Sequence, residues 1–141
     1  MIRIRVQAVI FNDKGALLLV KHSKNNKEYY VLPGGGVEYG ERLVDALLRE
    51  LKEELDISNV YSVKYVGIRD FIPPEGDRHV IDIYYYVVAD LSDIKLSEND
   101  GIIKGFDFIS IRDLDKILVY PSADYLKDLI KEAIGEFLRV D

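Results

Sequence analysis

The chain has 141 residues, 48% hydrophobic and 31% charged, with a net charge of −6, enough for one domain around one hydrophobic core. The acidic balance lacks the basic footprint of a nucleic-acid binder, and no apolar run approaches the roughly 20 residues that span a bilayer. There is no cysteine, which excludes disulfides, thiolate metal ligands and a cysteine nucleophile.

Ile2 to Phe11 alternates and then runs apolar, which predicts a strand. Its start has no signal-peptide core, so the expectation is a cytoplasmic protein whose first strand begins almost at once. Asn12-Asp13-Lys14-Gly15 signals a turn and Ala16 to His22 a second strand, so the start reads as a hairpin. A polar loop over Lys24 to Lys27 precedes a short extended piece, Glu28 to Leu32. Pro33-Gly34-Gly35-Gly36 breaks regularity, and Val37 to Gly40 leads into a helix predicted over Glu41 to Leu55.

In that helix Val44, Leu47, Leu48, Leu51 and Leu55 form one apolar stripe. At about 100° per residue, Glu50, Glu53 and Glu54 fall on a separate flank spanning about 100° of arc. The spacing lets the leucines be buried while the carboxylates point together into one space.

Tyr61 to Phe71 and His79 to Ala89 read as longer strands joined across Pro73-Pro74-Glu75-Gly76-Asp77. Tyr84-Tyr85-Tyr86 is expected to place alternate rings in the core and at the surface. Asp90 to Gly105 reads as polar loop and Phe106 to Ile111 as a last strand. Pro121-Ser122 opens a final helix, with Ser122 as N-cap and Leu126, Leu129, Ile130, Ala133, Ile134 and Phe137 as its buried stripe. The order β-β-β-α-β-β-β-α predicts an α/β (α+β) fold, a mixed sheet with helices, in a single domain over residues 1–141.

Like charges three and four residues apart repel on a helix, and carboxylates near its C-terminus face the unfavourable end of the macrodipole. One reading is a plain solvated face. The other is a site where a divalent cation offsets the repulsion. Gly34-Gly35-Gly36 favours the second, because backbone without Cβ approaches a ligand closely. Arg49 stands beside the acids with a fork suited to orienting a carboxylate. Glu41 sits at the helix start, where negative charge is favoured.

The run Gly35, five residues, Glu41, seven residues, Arg49-Glu50-Leu51, one residue, Glu53-Glu54, one residue, Asp56-Ile57 resembles the Nudix box. Each specified position matches except Asp56, which replaces the glycine that closes the helix; Asp tolerates left-handed backbone better than most residues. The strand order around the box is also similar to the Nudix fold, an α/β/α sandwich with a mixed sheet. The resemblance implies Mg²⁺- or Mn²⁺-dependent hydrolysis of a nucleoside diphosphate linked to another group. By position it makes Glu50, Glu53 and Glu54 the metal ligands, with a backbone carbonyl of Gly34 or Gly35. It makes Arg49 the residue that orients Glu50 or Glu53, and Glu41 a supporting residue of the box or a ligand through water. Glu53 or Glu50 is the preferred general base, with Glu98 as the alternative, in a loop that also holds Asp100 and reads otherwise as an ordinary turn. The resemblance also suggests a homodimer.

Asp77-Arg78-His79 resembles a run in the branch that cleanses oxidised dGTP, with Arg78 in reach of a phosphate or simply at a strand start. Pro73, about 16 residues past the box, resembles a marker of ADP-ribose-cleaving members. His22 and His79 are isolated and read as surface or strand residues rather than ligands. Three functions stand: hydrolysis of ADP-ribose or a related nucleoside diphosphate sugar, hydrolysis of a nucleoside triphosphate, and nucleotide sensing without turnover. Intact Glu50, Glu53 and Glu54 speak against the third.

Overall fold

The structure is a computed structural model that describes residues 1–97 and 101–138. Its elements are β1 (Ile2–Val9), β2 (Leu17–Lys24), β3 (Lys27–Val31), β4 (Gly34–Gly36), α1 (Leu43–Leu55), β5 (Val60–Phe71), β6 (His79–Ala89), β7 (Ile103–Ile109), a 3₁₀ turn (Ile111–Lys116) and α2 (Ala123–Leu138). The strands divide between two sheets, β4-β1-β6-β5 and β3-β2-β7. In the first, β1 runs parallel to β6 and antiparallel to β4, so the sheet is mixed as expected. No helix among the described residues is long and apolar enough to cross a membrane.

The central strands are apolar on consecutive residues because both faces are covered. Val6, Ala8, Leu18, Val20, Tyr85 and Val87 pack with Leu47, Leu51 and Leu55 of α1. Val9, Leu17, Leu19 and Tyr84 pack with Leu126, Leu129 and Ile130 of α2. The tyrosine run therefore departs from the expected alternation of core and surface: Tyr84 and Tyr85 are both buried, one in each core, and Tyr86 is half-buried.

The opening hairpin survives only at its tip. Asn12 Oδ1 accepts the N–H groups of Lys14 and Ala16, and Phe11 bridges Leu17. Beyond that the strands part, β1 into the four-stranded sheet and β2 into the three-stranded one. The glycine run is more regular than expected: Gly34, Gly35 and Gly36 pair with Gln7, Val6 and Arg5 as an edge strand. A Cβ at Gly34 would lie 2.0 Å from the Val6 carbonyl oxygen, so the approach of β4 to β1 needs glycine there. The last strand starts at Ile103, earlier than Phe106, because buried Ile103 joins the first core.

Helix α1 begins at Leu43, with Arg42 in the N-cap position, rather than at Glu41. Its buried face is rotated from the predicted stripe: Ala46, Leu47, Leu51, Glu54 and Leu55 are buried, whereas Val44 is exposed. The helix exits through Asp56 at φ 55°, ψ 33°, the left-handed conformation that the missing glycine would have supplied. The Asp56 N–H donates to the Lys52 carbonyl and its carboxylate pairs with Lys52 and Lys95. Past α1, Lys95 N–H and Ser97 N–H donate to the carbonyls of Leu55 and Glu54, satisfying acceptors the helix leaves open. In α2, Ser122 caps as predicted by accepting the Tyr125 N–H at 3.0 Å.

Asp56 yields a direct test of the helix exit. Asp56→Gly should shift unfolding stability by less than about 1 kcal/mol, since it relieves backbone strain and removes only surface pairs. Asp56→Val, β-branched at positive φ, should destabilise by about 1–2 kcal/mol in urea titrations at an unchanged m-value.

Candidate active site

Arg49 is the centre of the site. Its Nε and Nη2 donate to the two carboxylate oxygens of Glu41 at 2.7 and 2.9 Å, a two-pronged grip across eight residues. Its Nη1 reaches Glu50 Oε1 at 3.0 Å and Glu53 Oε2 at 3.3 Å. Nη2 also donates to the Gly36 carbonyl at 3.0 Å, joining the helix to the glycine strand. Glu41 belongs to the turn before α1 and accepts the Glu38 N–H at 3.1 Å, so it is poised ahead of the helix rather than in it. The Arg49 hydrogen bonds, then the Glu38 N–H, pull the Glu41 carboxyl down from an ordinary 4.5 to about 2. The same bonds to Glu41 push the Arg49 guanidinium up.

The three helix glutamates meet different surroundings. Glu54 is buried and accepts the Gly34 N–H at 2.9 Å. That bond explains how a carboxylate fits inside the buried face of α1. Glu50 lies against Gly35: a Cβ there would sit 2.4 Å from its carboxyl carbon, so glycine at 35 creates the cradle it occupies. Glu53 is the open one, with its side chain 47% exposed. The expectation that all three point together into one space is therefore corrected. Arg49 stands between Glu41, Glu50 and Glu53, and Glu54 turns toward β4. No three Asp, Glu or His side chains form a preassembled cage among the described residues.

The donor set still fits a hard cation. It consists of carboxylate oxygens and nearby backbone carbonyls, the ligands Mg²⁺ and Mn²⁺ prefer. The Gly35 cradle leaves the Glu50 carboxylate against bare backbone, and Glu53 has room to swing.

Of the remaining predicted residues, Arg78 is not brought to this flank; it is exposed, with its guanidinium carbon 5.9 Å from the Phe71 ring centre. Glu98 and Asp100 lie outside the described residues. Ser97, just before them, donates its hydroxyl to the Glu53 carbonyl. His79 pairs with Asp70 at 2.6 Å, and His22 packs against Tyr29. Sequence reasoning missed Gly36 as the carbonyl that docks Arg49; the i to i+13 reach between a strand and a helix leaves no periodic signal.

The Glu41–Arg49 grip has a pH signature. A carboxyl whose pKa is depressed on folding stabilises the fold above its unfolded pKa and loses that contribution as the pH falls through the folded value. Wild type should unfold at higher temperature than Glu41→Gln at neutral pH, and the gap should close as the pH falls from about 4.5 to about 2. A Tm gap that does not vary with pH would show that charge plays no part in the grip.

A family model for the NUDIX domain matches residues 1–130. The chain is similar to an ADP-ribose pyrophosphatase of Methanocaldococcus jannaschii, 31% identical over 129 residues that cover 91% of this chain and 73% of that protein. It is also similar to an RNA pyrophosphohydrolase of Ruthia magnifica subsp. Calyptogena magnifica, 46% identical over 56 residues; the match covers 40% of this chain and only 30% of the relative's length. Its fold superposes on a MutT NUDIX hydrolase from Burkholderia pseudomallei with a TM-score of 0.77 at 25% identity, covering 90% of this chain and 97% of that one. With the box on α1 and the fold in agreement, the chain belongs to the Nudix hydrolase family.

Proposed function

We propose that this chain hydrolyses the pyrophosphate linkage of a nucleoside diphosphate derivative, with ADP-ribose or a related nucleoside diphosphate sugar as substrate. The observation that carries the reading is the Arg49-centred fan of Glu41, Glu50 and Glu53 laid against the glycine strand. The choice of substrate is supported by the similarity to the ADP-ribose pyrophosphatase of M. jannaschii, which extends over 91% of this chain.

In this reading Glu50, Glu53 and Glu54 hold Mg²⁺ or Mn²⁺, with a carbonyl of Gly34 or Gly35. When bound, the cation supplies positive charge against the two phosphates and makes water more acidic. The chain's own residues do the rest. Arg49 fixes Glu50 through Nη1 and ties α1 to β4 through Gly36, so the carboxylates hold their places before substrate arrives. Gly35, without a Cβ, gives the Glu50 carboxylate its place against β4. Glu53, the most exposed of the three, takes the proton of the attacking water. Water oxygen bonds to one phosphorus, the bridging P–O bond breaks, and its electron pair leaves on the other phosphate. Glu98 is the alternative base.

A second reading is the same chemistry on a nucleoside triphosphate, releasing pyrophosphate. The likeness to a MutT NUDIX hydrolase favours it. With Mg²⁺, ADP-ribose should yield AMP and ribose 5-phosphate, and faster than any nucleoside triphosphate yields pyrophosphate. Glu53→Gln should lower turnover by about 10²–10⁴-fold with its Tm within a few degrees of wild type. Near wild-type turnover in that variant contradicts the assignment, and triphosphate preference replaces the first substrate by the second.

A further inference from the structure

The face of the four-stranded sheet that packs on α2 carries an arrangement the carboxylate site does not use. One cross-strand row runs Gly36, Arg5, Asp82, Arg69, from β4 to β5. The neighbouring row holds Arg3, Val80 and Phe71. Asp82 is only 5% exposed. Its Oδ1 accepts from Gln7 Nε2 at 2.7 Å and its Oδ2 from Arg69 Nη1 at 3.4 Å. Arg69 is further fixed by Phe71 and Tyr125, with its guanidinium carbon 4.1 and 5.7 Å from their ring centres. Asp82, Gln7 and Arg69 thus form a satisfied floor.

Arg5 and Arg3 are different. Arg5 approaches Asp82 only at 3.7 Å through Nε, beyond hydrogen-bond length. Arg3 has no carboxylate within 4 Å among the described residues. The two side chains stand on one face of β1, two residues and roughly 7 Å apart. Arg5 and Arg69 therefore share one buried carboxylate, and Arg3 beside them has none within 4 Å among the described residues, in a chain of net charge −6. Arg3 folds over the glycine strand: a Cβ at Gly36 would lie 3.1 Å from its Nη2. Gly36 is the same residue whose carbonyl docks Arg49. The arginine pair and the carboxylate flank are thus separated by the backbone of one edge strand.

We infer that Arg3 and Arg5 form an anion subsite that takes the phosphate of the substrate's pyrophosphate group not held at the carboxylates. The pairing of this subsite with a nucleotide rests on the hydrolase reading above. A guanidinium fork matches two phosphate oxygens at once, and an anion here removes the repulsion between the two arginines. Gly36 leaves the space in which Arg3 reaches across β4. Both arginines contact the phosphate itself; neither touches the proton that is transferred.

The test is titration calorimetry with ADP in the presence of EDTA, so that binding is read without metal or turnover. Wild type should bind ADP. Arg3→Gln and Arg5→Gln should each weaken it about tenfold or more, and the double variant should abolish it. Arg112→Gln, at an exposed arginine on the 3₁₀ turn, should bind as wild type does. Arg3 is exposed, so Arg3→Gln keeps the test valid if Arg5→Gln disturbs the Asp82 floor, and Tm reports which has happened. No ADP binding by wild type in EDTA, or full binding by the double variant, overturns the subsite. Arginine-dependent binding without hydrolysis of any nucleotide in Mg²⁺ supports the subsite and sinks the hydrolase reading; hydrolysis with arginine-independent binding does the reverse.

Discussion

One guanidinium holds this site together. Four acceptors, the carboxylates of Glu41, Glu50 and Glu53 and the carbonyl of Gly36, converge on Arg49. Without it, acids at three- and four-residue spacing repel along the helix. Charge-assisted bonds to a planar fork convert that repulsion into a fixed geometry. A lysine at this position offers a point charge on a flexible stem and cannot bridge a turn, a helix and a strand at once. The arrangement is consequently a store of oriented negative charge next to backbone that has no side chains.

The glycine strand is the other half of that constraint. Gly34 lets β4 press against Val6, Gly35 makes room for the Glu50 carboxylate, and Gly36 presents its carbonyl to Arg49 and open space to Arg3. Glu54 stitches the same strand to the buried face of α1 through the Gly34 N–H. A single edge strand of three residues thus fixes the distance between helix and sheet. Its pairing with β1 also sets the carboxylate flank beside the arginines on the other face.

Much of this was legible from local pattern. The box residues are specified by spacing along one turn and one helix, and α1, α2 and the long strands follow from periodicity. Ser122 and Asp56 signalled their ends through side-chain and backbone preferences that act over a few residues. What escaped depends on which strands become neighbours. Buried Glu54 breaks the predicted apolar stripe because its partner is a backbone N–H 20 residues away. The first hairpin opens because β1 and β2 find better partners in separate sheets. Both Tyr84 and Tyr85 are buried because β6 is covered on two sides. The row of Arg5, Asp82 and Arg69 exists only through register between three strands, and no spacing within the chain announces it.

The central claim is that the fan of carboxylates beside the glycine strand serves a hard divalent cation. Electron paramagnetic resonance of Mn²⁺ titrated into the protein reads this directly, because bound Mn²⁺ loses the sharp signal of the free ion. Wild type should take up Mn²⁺ with ADP-ribose present, and a variant carrying Glu50→Gln, Glu53→Gln and Glu54→Gln together, checked for folding by its Tm, should not. Equal uptake by the two proteins, or none by wild type, would contradict the account.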